Sequence, residues 1–237
     1  MSEFEQAVVV ITGAAGNLGR AVAQAFAADG AHLALLDLNE AGIGGTIAAC
    51  EGQASATAYP TNLIEPAVID ATIDQVLARH GRIDVLANIA GGFTMGPLIQ
   101  DTADRDWDFM MNLNARSVFN TCRRVIPAML QQGGGRIVNV SARAIETGKG
   151  RMGPYCASKA AVKTLTESLA AENKFDNINV NCILPGTIDT PQNREAMPDA
   201  DFGNWVPPEA LADVVRFLAS DAARCVTGAA IPVYGRS

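Results

Sequence analysis

Two side chains that can exchange protons, Tyr155 and Lys159, lie four residues apart in a stretch with a helical pattern. This spacing places both on one helix face, one turn apart. A lysine ammonium beside a phenol stabilises the phenolate, so the pair predicts that the pKa of Tyr155 falls from about 10 towards neutrality. Such a tyrosine can give a proton to a carbonyl oxygen or take one from an alcohol, which is general acid–base chemistry.

A glycine-rich turn lies near the N terminus, between an apolar run and a helical pattern. Gly13 permits a tight turn, Gly16 lets the backbone approach a pyrophosphate, and Gly19 lets the helix pack closely on the strand. The first helical residues, Asn17 and Leu18, lie at the positive end of the helix dipole, where N–H groups lack partners and attract phosphate. The turn therefore predicts a phosphate cradle.

Asp37 and Leu38 end the second apolar run, eighteen and nineteen residues after Gly19. A carboxylate at this place accepts hydrogen bonds from both ribose hydroxyls of an adenosine and repels a 2′-phosphate. No arginine follows until Arg79, so the sequence favours NAD(H) over NADP(H). The alternative interpretation is that Asp37 caps a helix that begins near Asn39.

These residues can act together only in a fold that brings the ends of several strands to one place. The alternation of apolar runs with helical patterns predicts such a fold. Near-continuous apolar strands are typical of a parallel sheet that is covered on both faces. We predict an α/β fold, a single Rossmann-type doubly wound sheet of about seven strands over residues 1–237. The predicted strands lie near 7–12, 31–36, 55–59, 83–87, 135–141, 177–183 and 229–233, and the predicted helices near 17–29, 40–51, 65–80, 104–131, 153–175 and 207–220.

One long stretch, 184–206, is predicted to be irregular, since it is rich in Pro, Asp and Asn. A loop of this length in a compact domain is usually a lid or a binding loop, here at the carboxyl end of a strand. The alternative is a solvated acidic loop. Phe93, Met95 and Trp205 are candidates for lining an apolar substrate pocket, or else they are ordinary core or interface residues.

Composition and charge exclude several classes of function. The net charge of −7 and the lack of any Lys/Arg run argue against nucleic acid or an anionic membrane as partner. No apolar run reaches transmembrane length, and no signal peptide is recognised. Five scattered cysteines without a CxxC motif predict a reduced, cytoplasmic protein. Only two histidines are present, far from any candidate partner cluster, so we expect no metal site.

Six motifs in a fixed order resemble those of the short-chain dehydrogenases/reductases, over essentially the whole chain. They are Thr12 to Gly19, Asn88 to Gly91, Trp107 seven residues before Asn114, Arg136 to Ser141, Tyr155 with Lys159, and Pro185 with Gly186. The resemblance implies that Tyr155 is the general acid/base. It also implies that Lys159 holds the nicotinamide ribose and that Asn114 anchors a water that relays protons. The other cofactor contacts that it implies are Asn62, Leu63, Asn88, Ala90, Gly91, Pro185, Gly186, Ile188 and Thr190.

Two positions depart from the family pattern. Asn17 stands where the family usually has glycine, a mild change because asparagine tolerates positive φ. Ala142 stands where the family has its catalytic serine, and Ser141 comes one residue early. If the strand end bulges by one residue, Ser141 can still reach the substrate oxygen. If it does not, the loss of a donor to a developing oxyanion costs about 10²–10³ in rate.

Residues 184–205 are also similar to quinoid dihydropteridine reductase, a branch of the same family. The leading hypothesis is an NAD(H)-dependent oxidoreductase acting on a ketone or secondary alcohol. A quinonoid dihydropterin is the rival small-molecule substrate, and a non-catalytic NAD-binding sensor or scaffold is the alternative of another class.

Helices near 112–131 and 155–175 are apolar around more than one face, as in family dimers, so we expect a homodimer or homotetramer.

Overall fold

The computed structural model describes residues 2–52 and 54–236. In this part of the chain, seven parallel strands form one sheet in the order β3-β2-β1-β4-β5-β6-β7. The strands are β1 (Val8–Thr12), β2 (His32–Asp37), β3 (Ser55–Pro60), β4 (Val85–Asn88), β5 (Gly135–Val140), β6 (Ile178–Pro185) and β7 (Ala230–Val233). All residues of β1, β4 and β6 are buried, as expected for strands covered on both faces.

Helices cover both faces of the sheet. They are α1 (Asn17–Ala27), α2 (Glu40–Ala49), α3 (Pro66–His80), α4 (Asp104–Met110), α5 (Ser117–Gln132), α6 (Gly153–Asn173), α7 (Pro191–Ala196) and α8 (Pro208–Ala219). One apolar cluster joins the sheet to α1, α2 and α8, and a second joins it to α3, α5 and α6. This is the doubly wound arrangement, so the predicted fold class is confirmed. None of the described helices is long and apolar enough to cross a membrane.

The strand order reverses at β1, which pairs with β2 on one side and with β4 on the other. In open α/β sheets, ligands bind outside the carboxyl ends of the strands at such a switch point. The glycine turn follows β1, and the helix with Tyr155 follows β5. The topology therefore places the two predicted motifs at one edge of the sheet.

Two predicted segments differ from the structure. The helix predicted over 104–131 is interrupted by a π-helical segment, Met111–Arg116, between α4 and α5. The stretch 184–206 is not irregular throughout, because it holds the end of β6, helix α7 and a 3₁₀ turn at Phe202–Asn204. A capping threonine, Thr190, followed by Pro191 at the first helical position, starts α7, a combination that favours a helix even within a proline-rich stretch.

Candidate active site

The glycine turn is held by two very close backbone approaches. Gly13 has φ +67°, and a Cβ added there would lie 2.7 Å from Cα and N of Ala90. A Cβ on Gly19 would lie 2.1 Å from the carbonyl oxygen of Gly13. Gly16 is the N-cap residue of α1. The turn thus packs tightly against the end of β4. It directs the N terminus of α1 at the crevice outside the carboxyl ends of the strands, and this geometry suits a phosphate group.

Asp37 braces this turn. Its Oδ2 accepts a hydrogen bond from the backbone N–H of Ala15 at 3.1 Å, and its Oδ1 accepts one from Asn39 at 2.9 Å. The N-cap of α2 is Asn39 itself, whose Oδ1 accepts from the N–H of Gly42, so Asp37 is not the helix cap. The carboxylate lies beside the glycine turn at the end of β2, and the neighbouring Leu38 is exposed.

The predicted adenine-side residues lie at the same edge. The N–H of Thr61 donates to the carbonyl of Asp37 at 2.8 Å, which brings Asn62 next to the end of β2. The Asn62 amide donates to Oε1 of Glu65 at 2.5 Å. The carbonyl of Leu63 accepts from the Asn120 side chain at 3.1 Å, which ties this turn to α5.

Asn88 and Ala90 hold the end of β4 in place. The Asn88 side chain is buried and takes part in a chain of polar side chains, donating to Oδ1 of Asn139 at 2.8 Å and accepting from Thr121 at 2.8 Å. Its amide is therefore directed into the core, and only its backbone borders the crevice. The N–H of Ala90 donates to the hydroxyl of Thr12 at 3.1 Å, a contact that no pattern in the sequence indicates.

Gly91 lies against two of the predicted catalytic residues at once. A Cβ at Gly91 would come within 2.7 Å of Oδ1 of Asn114 and 2.8 Å of Nζ of Lys159. Asn114 lies in the π-helical segment and is fully buried. Its Oδ1 accepts from the N–H of Gly92 at 2.9 Å, and its Nδ2 donates to the Gly92 carbonyl at 3.1 Å and the Ser158 hydroxyl at 3.0 Å. The structure thus brings Asn114 and Lys159 together around one glycine.

Lys159 is buried beneath the crevice, with its ammonium donating to the carbonyl of Val140 at 2.9 Å. Burial lowers the pKa of Lys159 to about 8, because the charged form loses its hydration. No sequence signal pointed to the Val140 carbonyl, since a backbone acceptor at a strand end leaves no mark on residue types.

Tyr155 lies at the start of α6, and the ring of Phe93 packs edge-on against it at 5.0 Å between centroids. Burial raises the pKa of Tyr155 to about 12. This is opposite to the predicted direction, so that expectation was wrong for this structure. The reason is that desolvation of the phenol dominates, while the ammonium of Lys159 is directed at Val140.

Ser141 does not meet the condition on which its catalytic role was predicted. The register of β5 with β6 runs without a slip from Gly135 opposite Ile178 to Val140 opposite Ile183, so the strand end has no bulge. The Ser141 hydroxyl is buried and donates to the carbonyl of Lys159 at 2.7 Å. This geometry favours a structural role, in which Ser141 joins β5 to the helix that carries Lys159.

Residues 184–206, the predicted lid, run from the end of β6 to the start of α8 and contact the glycine turn through α7. The start of this segment is fixed by the N–H of Gly186, which donates to Val233 at 2.9 Å and so ties Pro185 and Gly186 to the end of β7. Ile188 forms an isolated bridge with Val206. The Thr190 hydroxyl accepts from Asn193 at 3.2 Å, so it caps α7.

Helix α7 contacts the glycine turn directly. The Asn17 amide donates to Oε1 of Gln192 at 2.9 Å. Asn17 has ordinary helical geometry at the start of α1, so its tolerance of positive φ is not used. Leu18 beside it is buried in the core. Trp205 is buried against Phe202 and belongs to the internal packing of residues 184–206.

Comparison with known proteins agrees with the fold and with these motifs. A family model described as short chain dehydrogenase matches residues 7–201. The 3-oxoacyl-(acyl-carrier-protein) reductase of Thermotoga maritima is 35% identical over 241 residues, which cover 98% of each chain. Dehydrogenase/reductase SDR family member 6 of Rattus norvegicus is 36% identical over 255 residues, which cover 99% of this chain and 98% of that protein.

Among solved structures, an NAD⁺-bound xylitol dehydrogenase superimposes with a TM-score of 0.91 at 28% identity, covering 99% of this chain and all of that one. The family match extends from the glycine turn through the Tyr155 helix to residue 201, and the two curated relatives are covered over 98% of their length. The chain therefore belongs to the short-chain dehydrogenase/reductase family of oxidoreductases.

Proposed function

We propose that the protein is an NAD(H)-dependent oxidoreductase that interconverts a ketone and a secondary alcohol, with Tyr155 as the general acid/base. The observation that carries this proposal is the convergence at Gly91, which lies against Asn114 and Lys159, one turn from Tyr155. Because Gly13 leads into the same crevice beside Ala90, a dinucleotide held on the glycine turn extends towards this group.

The described residues fit a nicotinamide dinucleotide. Glycine is needed at Gly13, Gly19 and Gly91 because a Cβ at any of them would collide with a neighbouring atom, and the resulting backbone surface leaves room for a ligand. When bound, the cofactor supplies or accepts the hydride. The protein's own residues then have to position the substrate and move a proton.

Tyr155 is suited to proton donation during reduction. Its raised pKa keeps the phenol protonated at neutral pH, so a proton is available for a carbonyl oxygen that gains charge. Lys159 remains mostly protonated below its pKa of about 8 and provides a positive charge beneath the reacting atoms. Asn114 fixes the loop at Gly92 through both ends of its amide.

Asp37 supports a preference for NADH over NADPH. Both carboxylate oxygens are oriented by backbone N–H groups, of Ala15 and Asn39, so the charge has a fixed place beside the glycine turn. A ribose hydroxyl can donate to this carboxylate, whereas a 2′-phosphate meets like charge.

The cytoplasm is the compartment that we propose, because all five cysteines are free thiols and Cys225 is exposed.

We also propose a homodimer or homotetramer formed through α5 and α6, the helices near 112–131 and 155–175. Most apolar side chains of α5 are buried within the chain itself, which reduces the surface available for a partner. Three aromatic side chains remain exposed along α4 and α5: Trp107, Phe109 and Phe119. Light scattering at micromolar concentration tests the assembly, and a monomer mass would refute it.

The activity is tested by following NADH oxidation, with NADPH in parallel, against ketones, a 3-oxoacyl thioester and quinonoid dihydropterin, and by following NAD⁺ reduction with xylitol. We expect turnover of at least one carbonyl or alcohol substrate with NADH. In Tyr155→Phe, kcat should fall by about 10²–10⁴-fold, while the NADH dissociation constant stays close to that of the wild type. Tyr59→Phe is the matched control, since Tyr59 is a buried tyrosine at the end of β3, on the predicted adenine side and not beside Lys159.

Each outcome separates the hypotheses. Near wild-type activity of Tyr155→Phe would overturn the role of Tyr155. Fast turnover of the pterin alone would identify it as the substrate and set aside simple ketones. NADH binding without turnover of any substrate would favour a non-catalytic binding protein.

A further inference from the structure

Arg143 lies three residues after the end of β5 and begins a short 3₁₀ turn, Arg143–Ile145. Its two neighbours fix its backbone beside the proposed catalytic helix. Ala142 is buried, and the carbonyl of Ala144 accepts a contact from the thiol of Cys156, the residue after Tyr155, at 3.6 Å. Arg143 is therefore anchored next to the first turn of α6, while its own side chain is exposed.

The Arg143 side chain extends towards the end of β7. Its guanidinium carbon lies 4.9 Å from the ring centroid of Tyr234, which follows β7. The end of β7 is tied to the start of the lid, since Val233 accepts from the N–H of Gly186. Because β7 and β2 lie on opposite sides of β1 in the sheet, Arg143 lies on the side away from Asp37. A ligand that reaches Arg143 is thus the substrate rather than the adenosine.

The loop that carries Arg143 has a positive net charge, although the chain carries a net charge of −7. The loop 143–151 holds three cations (Arg143, Lys149 and Arg151) and one carboxylate (Glu146), which sums to +2. Among the described residues, Arg143 forms no ion pair, and Glu146 contacts it only through a backbone hydrogen bond to its carbonyl. The guanidinium therefore keeps its donors available.

An arginine that rests on an aromatic ring is pre-oriented, since stacking fixes the guanidinium plane and leaves its edge N–H groups free. These groups match the geometry of a carboxylate or phosphate and bind it with two parallel hydrogen bonds. A neutral ketone or polyol leaves the positive charge of Arg143 without a partner and so gains nothing from it.

We propose that Arg143 is a specificity-determining residue that binds an acidic group of the substrate, so that the preferred substrates are small oxo acids or hydroxy acids, or their phosphate counterparts. This inference rests on the proposed function and adds the chemical class of its substrate. The reacting carbonyl lies at Tyr155, and the acidic group lies towards Tyr234.

The test compares matched substrate pairs in the full-length protein with NADH. Each pair holds an oxo acid and its methyl ester, in a short series that varies the distance between the carbonyl and the carboxylate. A second pair, dihydroxyacetone phosphate and dihydroxyacetone, tests phosphate. We expect at least one acid or phosphate to have kcat/KM about 10–100-fold above that of its neutral partner, as a charge-assisted hydrogen bond would give.

Arg143→Gln should reduce that ratio to about one, chiefly through KM, and Arg143→Lys should restore part of it, because a single ammonium lacks the two-pronged geometry. Lys149→Gln is the matched control, since it removes the same charge from the same exposed loop and should leave the ratio within about two-fold of the wild type. A similar effect of both glutamine variants would mean that the preference for acids depends only on the net positive charge of the loop. That result would overturn the assignment to Arg143.

Three further outcomes bear on this inference, and the first two separate it from the proposed function. Turnover of neutral ketones without preference for any acidic partner would overturn the role of Arg143 and leave the oxidoreductase proposal standing. A lack of turnover for acids, esters and neutral ketones alike, with either dinucleotide, would overturn both. An equal loss of acid and neutral activity in Arg143→Gln would mark Arg143 as a structural residue.

Discussion

The two halves of the crevice are built by different means. The glycine turn after β1 offers backbone groups, and its shape depends on close contacts such as that between Gly19 and the carbonyl of Gly13. The other half, called the acid–base half, holds Tyr155, Asn114 and Lys159. It offers side chains, and their positions depend on long-range hydrogen bonds. Asn114 is held by Gly92 and Ser158, 22 and 44 residues away, and Lys159 by Val140, 19 residues away.

This difference predicts two kinds of failure. A side chain added in the glycine turn should damage cofactor binding by steric conflict. A side chain removed from the acid–base half should damage the chemistry while the fold persists, because neighbouring hydrogen bonds remain to hold the elements together.

After Tyr155→Phe, the largest effect is expected for Lys159→Met, which removes the buried ammonium from the acid–base half. The rate at saturating NADH should fall by about 10²–10³-fold, since a fixed charge beneath the reacting oxygen is lost. Lys163→Met is the control, because it lies one turn later on α6 and pairs with Glu167 at the surface. Its rate should stay within a few-fold of the wild type, and an equal loss in both variants would contradict the distinction.

The next effect concerns Gly19→Ala in the glycine turn. The added Cβ would lie 2.1 Å from the Gly13 oxygen, so the turn must shift, at a cost of about 1–3 kcal/mol. We expect NADH affinity, measured by nicotinamide fluorescence, to fall by about tenfold or more. Gly44→Ala is the control, because no atom lies within 4 Å of its added Cβ. Unchanged affinity in Gly19→Ala would show that the turn is not a tight cradle.

The pH dependence of the reaction should report on Lys159. Its pKa of about 8 means that the ammonium is lost as pH rises through 8, so the rate of carbonyl reduction should decline by up to about tenfold for each further pH unit. Lys159→Met should lack this break in a profile of kcat against pH.

The same group has an effect on stability with a definite sign. The folded pKa lies below the ordinary value of 10.5, so between pH 8 and 10 the unfolded chain binds more protons than the folded one. The contribution of Lys159 to the free energy of unfolding therefore rises with pH across that window. Chemical denaturation at several pH values measures it against Lys159→Met.

The smallest effect is expected for Ser141→Ala. The lost hydrogen bond to the Lys159 carbonyl should lower the free energy of unfolding by about 1 kcal/mol, and activity should change by only a few-fold. A loss of about 10²–10³-fold in kcat without a loss of stability would instead mean that Ser141 donates to the substrate oxygen.

The fold and the glycine turn could be predicted from the sequence because their signals are local. Strand runs, glycine spacing and the four-residue step from Tyr155 to Lys159 each depend on residues close in the chain. The role of Ser141 and the buried direction of the Asn88 amide depend on β5, α5 and α6 meeting, and no local pattern records that. The pKa direction of Tyr155 was mispredicted because spacing shows proximity to a charge but not the degree of burial.

The π-helical segment around Asn114 likewise has no local sequence signal. No residue pattern in 111–116 predicts a wider helical turn, although this turn brings the Asn114 amide against Gly92. An irregular helical turn at a functional position is a common outcome of such long-range demands.

The buried chain of polar side chains has a consequence for exchanging parts between relatives. Thr121 on α5 donates to Asn88 on β4, which donates to Asn139 on β5, which in turn donates to Thr166 on α6. Each link has a donor end and an acceptor end, so the four elements interlock in one order only. A recombinant whose crossover falls near residue 82 takes all four polar side chains from one parent. A recombinant that crosses between 88 and 166 takes them from two parents and can leave a buried amide without its hydrogen-bond partner.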